Sequence, residues 1–176
     1  EVLQLGMNPP LGPLALADTD GDGDLDLFVG GRVRPGKYPE AASSILYRNA
    51  GGRLQLDGEN SLPFQNVGMV SGAVFSDLNG DGNPDLALAC EWGPIRVFLN
   101  ERGRFKEATE KLVLNQFKGW WNGVTSGDFD GDGRLDIVGS NWGRNSRYES
   151  HRAQPLRLYY GDLDGDGSTD IVEAYF

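Results

Sequence analysis

Short runs of apolar, β-branched and aromatic residues alternate with polar, glycine-rich segments along the 176-residue chain. Runs of this length and composition predict β-strands. They lie at residues 15–17, 25–29, 45–49, 54–56, 73–75, 85–88, 95–100, 105–107, 124–125, 135–138, 156–160 and 170–175. The pattern predicts an all-β protein, and no apolar run reaches the ~18 residues of a membrane span.

The predicted strands are arranged around a nine-residue acidic segment that occurs four times. It reads DTDGDGDLD, DLNGDGNPD, DFDGDGRLD and DLDGDGSTD, starting at residues 18, 77, 128 and 162. One predicted strand enters each segment and another leaves it. In the first two units two further strands follow, joined by turns at Gly51-Gly52 and Arg102-Gly103. Each of these units therefore supplies four strands.

The first three segments start 59 and 51 residues apart. Units of about this length with four short strands are typical of β-propeller blades, each a four-stranded antiparallel sheet. The chain would then be a single propeller segment of about three blades, at residues 10–66, 67–117 and 118–176. Complete propellers have four to eight blades. We therefore expect either a piece of a longer protein or one protomer of an assembly that completes a ring or stack.

The acidic segments have the composition of cation-binding loops. Of the 17 aspartates in the chain, 16 lie inside them, so the acid is not spread for solubility. Oxygen ligands at positions 1, 3, 5 and 9 and a backbone carbonyl at position 7 suit calcium, which takes six to eight oxygens. Glycine at position 6 permits the sharp turn. The predicted side-chain ligands are Asp18, Asp20, Asp22, Asp26, Asp77, Asn79, Asp81, Asp85, Asp128, Asp130, Asp132, Asp136, Asp162, Asp164, Asp166 and Asp170, and the predicted carbonyl donors are Asp24, Asn83, Arg134 and Ser168.

Other interpretations of the segments explain less. Hairpin turns would account for the glycines but not for the repeated carboxylates. Magnesium demands near-ideal octahedral geometry, and zinc favours His or Cys, of which the chain has one each. The net charge is −10, and about four calcium ions would add 8 and leave −2. The acidity therefore serves metal binding, and no Lys/Arg cluster is dense enough to predict nucleic-acid binding.

The repeated unit resembles the FG-GAP/VCBS repeats of integrin α-subunit propellers and of many bacterial surface proteins. The resemblance rests on the four acidic segments and on the strands around them, including Ile45 to Asn49 and Ile95 to Asn100. It implies a β-propeller with calcium between the first two strands of a blade. In such proteins the metals brace the blades and do not take part in catalysis.

Three features depart from a regular repeat. The fourth segment starts only 34 residues after the third. Either residues 141–155 replace the last two strands of the third blade, or the outer hairpin of that blade carries the fourth loop, and we favour the second arrangement. Asn79 carries less charge than Asp, which predicts a weaker second site. Glu173 matches the bidentate Glu of an EF-hand, but its strand-like flanks predict that it lies in a strand and away from the metal.

The remaining composition predicts an extracellular or cell-surface protein, with the periplasm as an alternative. Weak calcium loops need the millimolar calcium found there. Cys90 is the single cysteine of the chain, so no internal disulfide can form. We expect it to be a small buried residue.

No catalytic motif is evident, so we expect no enzyme. His151 lies in a polar stretch, which is typical of a surface histidine. The sequence shows no second group that could form an acid–base pair with Glu91 or Glu149. The predicted role is binding or adhesion with a protein or glycan ligand, and the candidate contacts are Trp92, Trp142, Arg144 and Tyr148. For the tryptophans, packing between blades is the favoured interpretation and ligand contact the alternative. Self-assembly, or an accessory propeller of a carbohydrate-active enzyme, are the alternatives.

Overall fold

The computed structural model describes residues 10–143 and 153–175. Its first sheet contains four antiparallel strands in sequence order. They are β1 (Leu11–Ala17), β2 (Asp26–Gly31), β3 (Ile45–Asn49) and β4 (Leu54–Leu56). The first acidic loop joins β1 to β2, and the pair Ala17 and Asp26 closes the ladder beside it.

The second sheet repeats this arrangement. It consists of β5 (Met69–Ser76), β6 (Asp85–Glu91), β7 (Arg96–Glu101) and β8 (Arg104–Glu107). Ser76 pairs with Asp85 as Ala17 pairs with Asp26, so the second loop has the same position in its sheet. The prediction of four-stranded antiparallel propeller blades is confirmed by these two sheets.

The last two loops each connect a two-stranded antiparallel sheet. The strands are β9 (Trp121–Gly127) with β10 (Asp136–Asn141), and β11 (Arg157–Gly161) with β12 (Asp170–Ala174). Within the described residues β10 does not pair with β11, so placing the fourth loop in the outer hairpin of the third blade is wrong. Gly161 pairs with Asp170, which gives the fourth loop the same place between two strands as the first.

The hydrophobic core lies between the first two sheets. All residues of β2 and β6 are buried because both faces of these inner strands are covered. A 3₁₀ helix, η1 (Leu62–Phe64), inserts Phe64 between the sheets. The ring of Phe64 makes edge contacts with Phe28 and Phe98, with ring centroids 5.3 Å and 4.9 Å apart. These contacts hold the two sheets together in the geometry that aromatic pairs prefer.

The sheets follow one another through their first strands. β1 packs against β5, and β5 packs against β9. Gly72 is required at the second contact, since a Cβ there would lie 2.8 Å from Gly123 Cα and 2.9 Å from Val124 N. Burial decreases beyond this point, and Val138, Tyr159 and Val172 are exposed. A second 3₁₀ helix, η2 (Leu114–Gln116), precedes β9.

Candidate metal sites and an aromatic cavity

The aspartate at position 1 organises each acidic loop. In the first loop, Asp18 Oδ1 accepts a hydrogen bond from Gly21 N at 2.8 Å and Oδ2 accepts one from Gly23 N at 2.9 Å. Both glycines have positive φ, at 82° and 92°, which residues with a Cβ rarely adopt. The same pair of bonds occurs in the other loops, from Gly80 and Gly82 to Asp77, from Gly131 and Gly133 to Asp128, and from Gly165 and Gly167 to Asp162.

The other carboxylates are oriented by the backbone in the same repeated way. The position-5 carboxylate accepts the N–H of position 7, as when Asp24 N donates to Asp22 Oδ1 at 2.9 Å. The position-9 Oδ2 accepts the N–H of position 2, as when Phe129 N donates to Asp136 at 3.0 Å. Equivalent position-9 bonds form at Asp26, Asp85 and Asp170. The nine-residue sequence therefore specifies one hydrogen-bonded loop in all four places.

This framework brings carboxylate oxygens together at three of the loops. Within each group, one ligand oxygen per residue lies within 4.8 Å of the others. The groups are Asp18, Asp20 and Asp22; Asp128, Asp130 and Asp136; and Asp162, Asp164 and Asp170. Crowded hard oxygen donors without nitrogen or sulfur fit calcium better than zinc. In the second loop Asn79 replaces one carboxylate, and its amide donates to Asp81 Oδ2 at 2.9 Å.

Burial, neighbouring charges and hydrogen bonds shift the pKa values of two carboxyl groups in the second loop. Burial raises the pKa of Asp85, and the nearby charges of Asp81 and Asp77 raise it further. Hydrogen bonds from the backbone and side chain of Asn83 hold the pKa of Asp81 below its ordinary value. A divalent cation would relieve the repulsion that raises the pKa of Asp85, because opposite charge favours the ionised carboxylate.

Basic side chains contact three of the loops. Arg134 occupies position 7 of the third loop, and its Nε donates to Asp132 Oδ2 at 2.9 Å. The Lys37 ammonium donates to the carbonyl of Gly167 in the fourth loop at 2.9 Å. Arg48 reaches the first loop from β3, with its Nη1 2.8 Å from Asp26 Oδ2. Our sequence analysis missed Arg48 and Lys37 because both lie far from the loops in sequence.

The strand following the fourth loop is confirmed. Glu173 lies in β12 and pairs with Leu158 of β11. It is absent from the group formed by Asp162, Asp164 and Asp170. The flanks are therefore strands and not the helices of an EF-hand.

A cavity of about 640 Å³ lies at the other ends of the strands from the acidic loops. β6 runs from Asp85 at its loop to Glu91 at the cavity, and β10 ends there at Asn141. The cavity is lined by the candidate contacts Trp92 and Trp142 and also by Trp120. The Trp120 ring lies 5.0 Å from Trp92 and 4.3 Å from Trp142, so the three indoles form one contiguous wall. Arg144, Tyr148 and His151 lie outside the described residues.

A part-buried polar network around the buried Glu91 fixes one end of this wall. Trp92 has a φ of 60°, and its indole N–H donates to the Tyr38 hydroxyl at 2.7 Å. The Tyr38 hydroxyl in turn donates to Glu91 Oε1 at 2.7 Å, and Arg32 forms an ion pair with the same carboxylate. Burial, followed by the bond to Glu91, raises the pKa of Tyr38 to about 12. Glu91, for which the sequence showed no partner, is therefore a structural anion between the first two sheets.

Cys90 is buried beside this network, as predicted. Burial raises the pKa of its thiol to about 12. The thiol stays protonated at neutral pH and acts as a small packing group.

The FG-GAP-like repeat profile matches residues 18–88 and 77–139, which include the first three acidic loops. The chain belongs to the FG-GAP-like repeat family. The fourth loop of this FG-GAP protein lies outside both matches, although its hydrogen bonds repeat those of the first three. The family match thus agrees with the two complete sheets and with β9–β10.

Two curated relatives agree with this assignment. Over 137 residues, the FG-GAP chain is 29% identical to integrin alpha-7 of Rattus norvegicus, covering 73% of this chain and 12% of the relative. Over 67 residues it is 33% identical to the T-cell immunomodulatory protein of Rattus norvegicus, covering 38% of this chain and 11% of the relative. The matched parts therefore span about an eighth or less of each relative's length.

Proposed function

We propose that this FG-GAP chain is a calcium-braced, non-catalytic β-propeller module for ligand binding or adhesion at the extracellular side of a cell. The observation that carries the proposal is the hydrogen-bonded loop that recurs four times, with converging carboxylates in three of its copies. Both the family match and the similarity to integrin alpha-7 support an integrin-like propeller module. We retain residues 10–66, 67–117 and 118–176 as the proposed repeat limits, with the last unit built from two short sheets.

The calcium ions would be held by the side chains at positions 1, 3, 5 and 9 of each loop and by the carbonyl at position 7. About four ions would neutralise the clustered carboxylates and link the two strands that each loop joins. Position 1 is already oriented by two glycine N–H groups, and position 9 begins the second strand in every case. The loop residues therefore align the strand ends, and the cation would secure that alignment.

The aromatic cavity supports a binding role. Within the described part of the chain, the indole N–H groups of Trp120 and Trp142 form no hydrogen bond with another residue. Trp142 is 43% exposed, and the exposed Lys118 also lines the cavity. A wall of aromatic faces with free N–H donors suits a glycan, or a protein segment that presents carbonyl or hydroxyl oxygens. Among the described residues, no helix has the length and apolar character needed to cross a membrane.

Calcium binding is tested by measuring bound metal and thermal unfolding together. We expect about four calcium ions per chain in millimolar calcium and a large fall in melting temperature in EDTA. Fewer than three ions, or identical melting curves with and without EDTA, would contradict the metal part of the proposal.

Ligand binding is tested with a glycan array and peptide display on the calcium-loaded protein. Trp142→Ala should abolish binding of any ligand found, because it removes an exposed face of the cavity wall. Tyr159→Ala is the matched control, since Tyr159 is an exposed aromatic that does not line the cavity. Equal loss in both variants would show that binding does not use the cavity.

Self-association is a second candidate, favoured by the apolar surface of the last two sheets. Val138, Tyr159, Tyr160, Ile171 and Val172 are all at least 42% exposed. Repeat units bury such faces against neighbours, so a second copy or further blades of a longer chain would cover them. Light scattering after size-exclusion chromatography tests this candidate, and a monomer at high concentration would contradict self-association.

A further inference from the structure

Arg48 connects the first acidic loop to the second sheet. Its Nη1 lies 2.8 Å from Asp26 Oδ2 and 3.3 Å from Asp20 Oδ2. On the other side of the guanidinium, Nη2 donates to the Gly103 carbonyl of the β7–β8 turn at 2.6 Å, and Nε donates to Asp57 at 2.9 Å. The side chain is only 18% exposed. One cation therefore joins two loop carboxylates of the first sheet to the backbone of the second.

The carboxylate of Asp26 accepts four hydrogen bonds from Arg48 and from neighbouring donors. Oδ2 accepts from Thr19 N at 3.1 Å, from Arg48 Nη1 and from the Thr19 hydroxyl, while Oδ1 accepts from Asn49 N at 2.9 Å. A carboxylate offers about four lone-pair positions, two on each oxygen, and three of the four donors to Asp26 share Oδ2. It is fully buried, and it is absent from the group formed by Asp18, Asp20 and Asp22.

Position 9 is less occupied in the other three loops. Asp85 accepts from Leu78 N and Asn100 N. Within the described chain, Asp136 and Asp170 each accept only the N–H of position 2, and both belong to the acidic groups of their loops. Within the described chain, the closing carboxylate therefore meets fewer competing donors in the third and fourth loops than in the first.

The second sheet has no arginine at the position that corresponds to Arg48. Asn49 N donates to Asp26 Oδ1 as Asn100 N donates to Asp85 Oδ1, so the two asparagines are equivalent. The residue before Asn100 is Leu99, which takes the place of Arg48 and brings no charge. The loops are alike in sequence, and the difference lies in this strand residue.

We propose that Arg48 is a built-in cation that competes with calcium at the first loop. Its guanidinium neutralises Asp26 and Asp20 and ties the first sheet to the second without metal. Calcium at this loop must displace or repel that charge, so the first loop binds calcium more weakly than the third and fourth. This inference rests on the proposed calcium binding and adds Arg48 at the first loop to Asn79 at the second as a cause of unequal affinity.

Calcium titration of the full chain followed by ¹H–¹⁵N NMR tests the proposal loop by loop. The amides of Gly21 and Gly23 report on the first loop, and those of Gly131 and Gly133 report on the third. In Arg48→Met we expect the half-saturating calcium concentration at the first loop to fall about tenfold, the scale of Coulomb repulsion between close charges in water. The third loop should not change. In EDTA the variant should melt at a lower temperature than the wild type, and saturating calcium should narrow that gap.

Two variants complete the test. Arg34 is an exposed arginine that forms an ion pair with Glu40. For Arg34→Met we expect no change in calcium affinity at any loop. Asp57→Asn leaves Arg48 in place but removes its outer counter-charge, so first-loop affinity should fall, the opposite sign to Arg48→Met. This variant decides the matter if Arg48→Met does not fold.

The outcomes separate this proposal from the wider one. Unchanged or weaker first-loop binding in Arg48→Met, or tighter binding in Asp57→Asn, overturns the competition while leaving calcium binding intact. Loop amides that respond to calcium nowhere in the wild type overturn both proposals.

Discussion

The first two sheets and the last two use the same acidic loop in different surroundings. In the first pair, β2 and β6 are completely buried and Phe64 packs between the sheets. In the second pair, β10 and β12 contain no fully buried residue. The hydrogen bonds inside the loops are nevertheless the same in both regions. The comparison shows that the nine-residue sequence determines the turn, whereas the packing of the strands depends on residues elsewhere.

The two regions consequently differ in what stabilises them. The first region has a hydrophobic core, a part-buried Arg32–Glu91–Tyr38 network and Arg48 between its sheets. The last two sheets have few buried apolar groups among their described residues. Metal bound at the loops would therefore contribute a larger share of the free energy of unfolding in these sheets. The predictions below test that difference.

Removal of calcium should have the largest effect. A metal that binds only the folded state adds RT ln(1 + [L]/Kd) per site, about 2.7 kcal/mol at a hundredfold excess over Kd. We expect EDTA to open β9–β12 first, while β2 and β6 retain protection because their core remains. Hydrogen exchange followed by mass spectrometry, with and without EDTA, measures this order. Uniform loss of protection along the chain would contradict the division into two regions.

Truncation of Phe64 should have the next largest effect. Phe64 is fully buried between the sheets, and Phe64→Ala should lower the free energy of unfolding by about 3–5 kcal/mol. Val138→Ala in β10 is the control, because Val138 is 49% exposed and should cost less than about 0.5 kcal/mol. Denaturant unfolding in saturating calcium measures both. Similar costs at the two positions would mean that an unseen partner covers β10.

A Cβ at the contact between the two regions should have an intermediate effect. Gly72→Ala would place its methyl group 2.8 Å from Gly123 Cα, against backbone that has little room to move. We expect a loss of about 1–3 kcal/mol, typical of overpacking. Gly58→Ala is the control, since no atom lies within 4 Å of the added methyl group. If Gly72→Ala were neutral by thermal unfolding, the contact between β5 and β9 would be looser than described.

The sequence predicted the strands best where the loop motif and the apolar pattern coincide. Residues 25–29 and 85–88 contain both signals, and all of them except Leu25 lie in β2 and β6. The pairing in the last part could not be predicted, because the motif specifies only the two strands it joins. It says nothing about whether β10 continues into a third strand. A 34-residue spacing therefore led to the wrong hairpin assignment.

Site residues were predictable where their chemistry is local. The carboxylates lie within nine residues of one another, so spacing alone indicated their convergence. Arg48 is 22 residues from Asp26, and Tyr38 is 53 residues from Glu91, so only the packing of the sheets brings these pairs together. Trp120 was not among the predicted contacts, because its contacts with Trp92 and Trp142 depend on three different segments of the chain.

The smallest effect should come from acid titration of Asp57. Burial raises the pKa of this carboxyl, but hydrogen bonds from Asn60 and Arg48 outweigh it and hold the pKa below its ordinary value. The stabilisation is therefore present above the unfolded pKa, about 3.9 for Asp, and is lost as the pH falls through the lower folded value. Asp57→Asn should cost about 1 kcal/mol at pH 7, and its difference from the wild type should shrink below about pH 4. Unfolding of metal-free protein at several pH values measures that difference. Arg134→Gln, which alters an ion pair whose arginine is 84% exposed, should leave stability unchanged throughout. If the stability difference between the wild type and Asp57→Asn did not vary with pH, Asp57 would act through its hydrogen bonds alone. The charge of Asp57 would then add nothing to the stability of the first sheet.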